Sequence, residues 1–163
     1  MEGCLKLNFD GGSVSDTTWG WGFVRHNHHR DIVLAGAKHG MGFARSLVEE
    51  ARLCLFGIKC AYEVGVRNIV IEGDCLVLIQ MLQSSSIDES TASLFVKEIL
   101  AFVNQFEFYS WSFVKRGGNR VAHALGHWQP LCLEGMLWEV DFSEDILTRA
   151  SKDMCDFIGL NLK

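Results

Sequence analysis

Leu5-Lys6-Leu7-Asn8-Phe9-Asp10-Gly11-Gly12 alternates apolar and polar residues, then stops on a carboxylate and two glycines. Leu5, Leu7 and Phe9 fall on one face of an extended strand, and Lys6, Asn8 and Asp10 on the other. Gly11 and Gly12 predict a sharp turn there and a backbone that a ligand can approach closely. Asp-Gly also marks ordinary hairpins, so Asp10 becomes a functional candidate only if other carboxylates are brought beside it.

Working outward, Trp19-Gly-Trp-Gly-Phe-Val-Arg25 and Ile32-Val-Leu-Ala-Gly-Ala-Lys38 read as two more strands, close enough for an antiparallel meander. The polar stretch His26-Asn-His-His-Arg-Asp31 between them reads as a hairpin tip; His26, His28 and His29 lack a companion set with zinc spacing. From Ala44 to Val64 the period becomes helical, with Leu47, Ala51, Cys54, Leu55, Ile58, Ala61 and Tyr62 on one stripe. The helical wheel puts Glu49, Arg52, Lys59 and Glu63 in water and Glu50 at the edge of the buried stripe. Gly65 supplies a C-terminal stop.

Asn68-Ile-Val-Ile-Glu-Gly-Asp74 is a fourth strand ending on a carboxylate. A helix between it and the meander implies a crossover and a parallel neighbour. Pairing with the first strand would bring Asp10 and Asp74 together near adjacent strand ends, where open α/β sheets place ligands. A short helix from Cys75 to Leu82 follows, then a helix over Leu94 to Phe106 behind the candidate cap Ser90. Next come a fifth strand, Phe108 to Lys115, a basic turn, Lys115-Arg-Gly-Gly-Asn-Arg120, and a helix from Asn119 to His127 capped by Asn119. Pro130 ends the pattern. Two regions are expected, a domain over 1–129 and an extension over 130–163 with one helix from Ser143 to Ile158.

The totals exclude several classes. The 163 residues, 48% hydrophobic with one proline, suit one globular unit with a substantial core. No apolar run approaches a membrane span, and the first residues do not form a signal peptide. Six cysteines without a Cys-x-x-Cys pair read as reduced core residues, which favours the cytoplasm or nucleus over secretion. The net charge of −5 argues against a broad basic surface, so any contact with nucleic acid must be local and salt-sensitive.

Asp10, Glu50 and Asp74 can converge from a strand, a helix and a second strand. Three crowded carboxylates repel one another unless cations neutralise them. Hard oxygen donors suit Mg²⁺ or Mn²⁺, and two such ions roughly 3.5–4 Å apart can activate water and stabilise the departing oxygen of a phosphodiester. The competing reading has Asp10 and Asp74 only ending strands while Glu50 pairs with a cation; the element order favours the metal site.

The chain resembles type 1 ribonuclease H domains, in particular the plant reverse-transcriptase-like branch derived from retroelements. The residues that carry this are Leu7-Asn-Phe-Asp-Gly-Gly12, Trp19-Gly-Trp-Gly-Phe23, Glu50-Ala51 leading to Gly57-Ile-Lys-x-Ala61, Gly65-Val-Arg-x-Ile-Val-Ile-Glu-Gly-Asp74, and Arg116-x-x-Asn119-x-x-Ala122-His123-x-Leu125. They run in order over residues 4 to 129. The resemblance implies a ribonuclease H-like α/β fold with a five-stranded mixed sheet, order 3-2-1-4-5, and flanking helices. It also implies metal-dependent endonucleolytic hydrolysis of the RNA strand of RNA–DNA hybrids, with two Mg²⁺ or Mn²⁺ ions on Asp10, Glu50 and Asp74. The family's fourth carboxylate falls on His123, which stands either as a ligand favouring Mn²⁺ or as a helix residue near the site. Candidate substrate contacts are Gly11, Gly12, Lys115, Arg116, Asn119 and Arg120. Trp19 and Trp21 either stack on substrate or fill the core. The histidine-bearing loop of many members is reduced to Arg116-Gly-Gly, and Ser84 to Ser90 lacks a basic handle, so weak substrate binding is expected. The alternatives are a retroelement-derived module that binds nucleic acid without turnover and a domain that binds only protein.

Overall fold

The structure, a computed structural model, describes residues 4–27, 32–41, 46–85, 87, 89–127 and 136–139. In chain order the elements are β1 (Leu5–Ser13), β2 (Thr18–His26), β3 (Ile32–Met41), α1 (Ser46–Glu63), β4 (Asn68–Gly73), α2 (Leu76–Ser84), α3 (Thr91–Val103), β5 (Phe108–Phe113), a 3-10 turn at Arg116–Gly118, α4 (Arg120–His127) and β6 (Met136–Glu139). They build one sheet of order β5-β4-β1-β2-β3-β6. Its first five strands have the expected order 3-2-1-4-5, with β1–β2 and β2–β3 antiparallel and β1–β4 and β4–β5 parallel.

β6, antiparallel to β3, extends the sheet beyond the expected five strands. The expected helix from Ser143 to Ile158 and the tip residues His28 and His29 lie outside the described residues. Among the described residues no helix is long and apolar enough to cross a membrane.

The sheet separates two unequal cores. Leu7, Phe9, Trp21 and Phe23 face α1, and Ile69 and Ile71 belong to the same core as Leu78, Ile79 and Leu82 of α2 and Val96, Ile99 and Val103 of α3. Tyr62, Phe102 and Phe106 meet edge to face where α1 and α3 pack. On the other face Val24, Ala35 and Ala37 meet Val121, Ala122 and Leu125 of α4. The Trp-Gly-Trp-Gly-Phe segment serves both layers through its period of two. Trp19, Trp21 and Phe23 pack on the α1 side, while Gly20 and Gly22 lie under α4. A Cβ at Gly22 would sit 2.4 Å from the Gly126 nitrogen and 2.5 Å from the Ala122 oxygen. Only bare backbone lets α4 lie this close. The tryptophans are therefore core residues, Trp21 buried and Trp19 partly buried.

α1 ends as its glycine dictates. Gly65 adopts φ +87°, and the Gly65 and Val66 amides donate back to the Tyr62 and Ala61 carbonyls. Ser90 caps α3 through the Ser93 amide.

Three expectations are corrected. Gly11-Gly12 makes no turn: β1 continues to Ser13, paired with β2 as far as Trp19, and the reversal falls at Val14–Thr18. Asn119 does not cap α4 with its side chain. Its backbone carbonyl accepts from His123, while its side-chain amide donates to the Phe9 carbonyl at 2.7 Å and its side-chain oxygen is buried without a partner. Glu49 is not in water but fully buried, taking hydrogen bonds from the Trp21 indole and Arg52, each at 3.2 Å. The helical wheel missed it because a partnered carboxylate looks like a solvated one in sequence.

Gly22→Ala should destabilise the fold by about 1–3 kcal/mol, the overpacking range, because the new methyl meets backbone that cannot rotate away. Urea unfolding followed by circular dichroism should show a lower midpoint at an unchanged slope. An unchanged midpoint would show that the α4 contact is loose.

Candidate metal centre

Asp10, Glu50 and Asp74 each offer an oxygen lying within 4.8 Å of the others, so the three sequence candidates do come together. Parallel pairing supplies two of them. β1 and β4 are in register up to Phe9 opposite Gly73, and Asp10 and Asp74 are the next residue on each chain. β4 stops at Gly73, which leaves the adjacent edge of β1 open. Glu50, in the first turns of α1, reaches that edge and takes a hydrogen bond from the Gly11 backbone.

The cluster is short of positive charge. Arg116 approaches Asp74 at 3.4 Å, but its side chain is 79% exposed, so solvent screens most of the attraction. The second Glu50 oxygen is buried with no hydrogen-bond partner among the described residues. Burial foremost, then the charges of Asp10 and Asp74, push the Glu50 carboxyl well above its ordinary range; the Gly11 bond and Arg116 oppose this only in part. Asp10 is also raised, by burial and then by Asp74, against the pull of His123 and His127. Such a group of hard oxygen donors, crowded and under-neutralised, fits a divalent cation of the Mg²⁺ or Mn²⁺ type.

His123 is not a member of that convergent group but touches one of its residues. Its Nδ1 lies 2.5 Å from Asp10 Oδ2, and its side chain is partly open to solvent. Of the expected substrate contacts, Gly11 is engaged with Glu50, and Gly12 is buried beneath the His127 ring, where a Cβ would come within 2.4 Å. Asn119 is buried and spent on β1, whereas Lys115, Arg116 and Arg120 are exposed at the start of α4.

His127 escaped the sequence reading. It accompanies His123, with ring centroids 4.2 Å apart, and its Nδ1–H donates to the His123 carbonyl at 3.0 Å. The available signal was the spacing of four between two histidines on one helix. A second surprise is Glu72, on the face of β4 that carries Asp74. The Asn8 amide and the Lys6 ammonium hold it, each at 3.1 Å, so its charge is paired and it adds no vacant ligand.

Glu50→Gln should stabilise the metal-free protein at neutral pH, by about 1–3 kcal/mol if the orphaned charge costs what buried unsatisfied groups usually cost. The sign follows from linkage. A carboxyl raised in the folded state contributes nothing at low pH, where it is protonated in both states. Above its folded pKa it subtracts a fixed amount from stability, so stability falls as pH rises from about 4. Melting curves in chelator should therefore show a shallower decline with pH for the variant than for the wild type.

A family profile described as reverse transcriptase-like matches residues 8–129. No curated protein matches the sequence. Among solved structures, RNase H1 from the halophilic archaeon Halobacterium salinarum superposes with a TM-score of 0.64 at 22% identity, over 75% of this chain and 93% of that one. The N-terminal RNase H domain of Rv2228c from Mycobacterium tuberculosis gives 0.68 at 19%, over 76% and 90%. LC11-RNase H1, solved with an RNA/DNA hybrid, gives 0.65 at 14%, over 74% and 92%. At these identities the likeness establishes a common fold.

Proposed function

This chain belongs to the reverse transcriptase-like family, and on that footing we propose that it is a metal-dependent endonuclease that hydrolyses the RNA strand of RNA–DNA hybrids. The observation that carries the proposal is the convergence of Asp10, Glu50 and Asp74 within 4.8 Å, with one Glu50 oxygen buried and unpartnered among the described residues. A purely structural cluster has no reason to keep three acids together while leaving one of them unmatched.

Asp10, Glu50 and Asp74 would hold the cations, Mg²⁺ or Mn²⁺. Bound there, such ions would supply Lewis-acid stabilisation of charge on a phosphodiester and would make an attacking water more acidic. The chain's own part is positioning. β1 and β4 fix two carboxylates on rigid backbone, and α1 brings the third across the open edge of β1. Arg116, exposed and next to Asp74, is placed to meet a phosphate oxygen, with Lys115 and Arg120 flanking it. The hybrid as substrate class is supported by the RNA/DNA complex of LC11-RNase H1, which shares this fold. A 2′-hydroxyl on one strand only is what separates a hybrid from either pure duplex.

A second reading keeps the fold and drops turnover. The net charge of −5 and the histidine in place of a fourth carboxylate favour a module that binds nucleic acid, weakly, without cutting it. Binding that falls steeply with salt in the absence of cleavage is its signature.

With Mg²⁺ or Mn²⁺, labelled RNA–DNA hybrid should be cut in the RNA strand, while RNA duplex and DNA duplex survive and chelator stops the reaction. Equal cutting of all three, or cutting that persists in chelator, would overturn the assignment. Asp10→Asn should bring hybrid cleavage to background in either metal with the fold intact by circular dichroism. Full activity in that variant would remove Asp10 from the site.

A further inference from the structure

α4 lies along β1 and touches it residue by residue. At its start the Asn119 amide holds the Phe9 carbonyl at 2.7 Å. One turn later His123 meets the Asp10 carboxylate, and after a further turn the His127 ring covers Gly12. Asp10 is thus gripped at both ends, its backbone between two anchor points and its carboxylate by an imidazole.

We infer that His123 serves the metal centre from outside the coordination shell, as the hydrogen-bond donor that orients the Asp10 carboxylate, with His127 holding His123 in place. This rests on the metal-dependent reading above and assigns roles within it.

The geometry separates an orienting role from a ligating one. The oxygens that converge within 4.8 Å of one another belong to Asp10, Glu50 and Asp74, a group that does not include His123. The His123 Nδ1 instead lies 2.5 Å from Asp10 Oδ2, where the tautomer protonated at Nδ1 donates to the carboxylate. A nitrogen that donates to Asp10 cannot also offer a lone pair to a cation shared with Asp10. Carboxylate ligands are commonly fixed in this manner by hydrogen-bonding partners behind them, and removing such a partner typically weakens metal affinity 10–100-fold. His127 makes the arrangement rigid. Its Nδ1–H is tied to the His123 carbonyl, its ring rests on the His123 ring, and its Cε1–Nε2 edge fills the space that the Gly12 side chain would take. The His123 ring is packed on one side by His127 and anchored on the other by Asp10.

Mn²⁺ binding, followed by loss of the free-ion signal in electron paramagnetic resonance, tests this without reference to cleavage. His123→Ala should weaken binding 10–100-fold, and His127→Ala about 10-fold, the lower end of that range. His123→Asn is the discriminating variant, because its amide nitrogen can stand where Nδ1 stands and donate to Asp10. It should keep affinity within about threefold of wild type, well inside the loss expected for an outer-shell deletion. Pulsed measurements on the Mn²⁺-loaded wild type should show no directly coordinated nitrogen. Nitrogen coupling of a ligated imidazole, an Asn variant as weak as the Ala variant, or an Ala variant that binds normally would each overturn the role given to His123. Normal binding in His127→Ala would remove His127 alone. Unchanged circular dichroism and melting temperature confirm that the variants are folded. If the wild type itself bound no Mn²⁺, the metal-dependent reading would fall and this inference with it, an outcome distinct from failure of the variants alone.

Discussion

The register of two parallel strands holds this molecule's chemistry in place. Phe9 pairs with Gly73, and the Phe9 ring lies where a side chain on Gly73 would be; a Cβ there would come within 2.5 Å of it. Any larger residue at 73 would push the ring aside, so the pair works as a lock on alignment. A slip of one residue would turn Asp10 or Asp74 to the opposite face and dissolve the cluster. The same register aligns Asn8 with Glu72, whose paired charge lies beside the cluster without adding to it. One steric fit in the apolar layer thus determines which carboxylates meet in the polar one.

That dependence explains what could be read from the sequence. Strand order follows from local signals: alternation in Leu5 to Asp10, a long helical period after Ala44, and a crossover that demands a parallel partner. Asp10, Glu50 and Asp74 were legible because each sits next to a feature with a definite period. The errors share a different origin. Glu49, Asn119 and Gly12 each look like a solvated acid, a helix cap and a turn residue when only their neighbours are considered. Their actual partners are Trp21, Phe9 and His127, which lie 28, 110 and, by subtraction of 12 from 127, 115 positions away in the chain. Local chemistry cannot announce a partner at that distance. β6 was missed for a related reason, since four residues too short to show a period become a strand only by pairing with β3.

α4 presents the opposite case, in which the pattern was visible and its meaning was not. Glycine generally weakens a strand because it adds no side chain to a sheet, and Gly20 and Gly22 stand in the middle of β2. In the fold they are the reason a helix of eight residues can dock at all. Such a helix is too short to be stable by itself and draws its order from packing. Close approach increases that packing and also brings His123 within bonding distance of Asp10. The demands of stability and of the site are met by the same absence of side chains.

The histidine at position 123 can be weighed as a question of charge. Burial first, and then the neighbouring carboxylates, hold the Asp10 and Glu50 carboxyls above their ordinary range in the metal-free fold. A fourth carboxylate beside Asp10 would take the formal charge from −3 to −4 and deepen that repulsion, against which the exposed Arg116 at Asp74 offers a solvent-screened cation. An imidazole that donates to Asp10 removes repulsion and adds a hydrogen bond of the charge-assisted kind. The consequence runs in the other direction once cations bind. With one anionic donor fewer, electrostatic attraction for a second hard cation is weaker, and binding depends more on how well the remaining carboxylates are oriented. Orientation is what His123 and His127 provide, so the exchange of a charge for a hydrogen bond shifts the site from attraction by charge toward preorganisation.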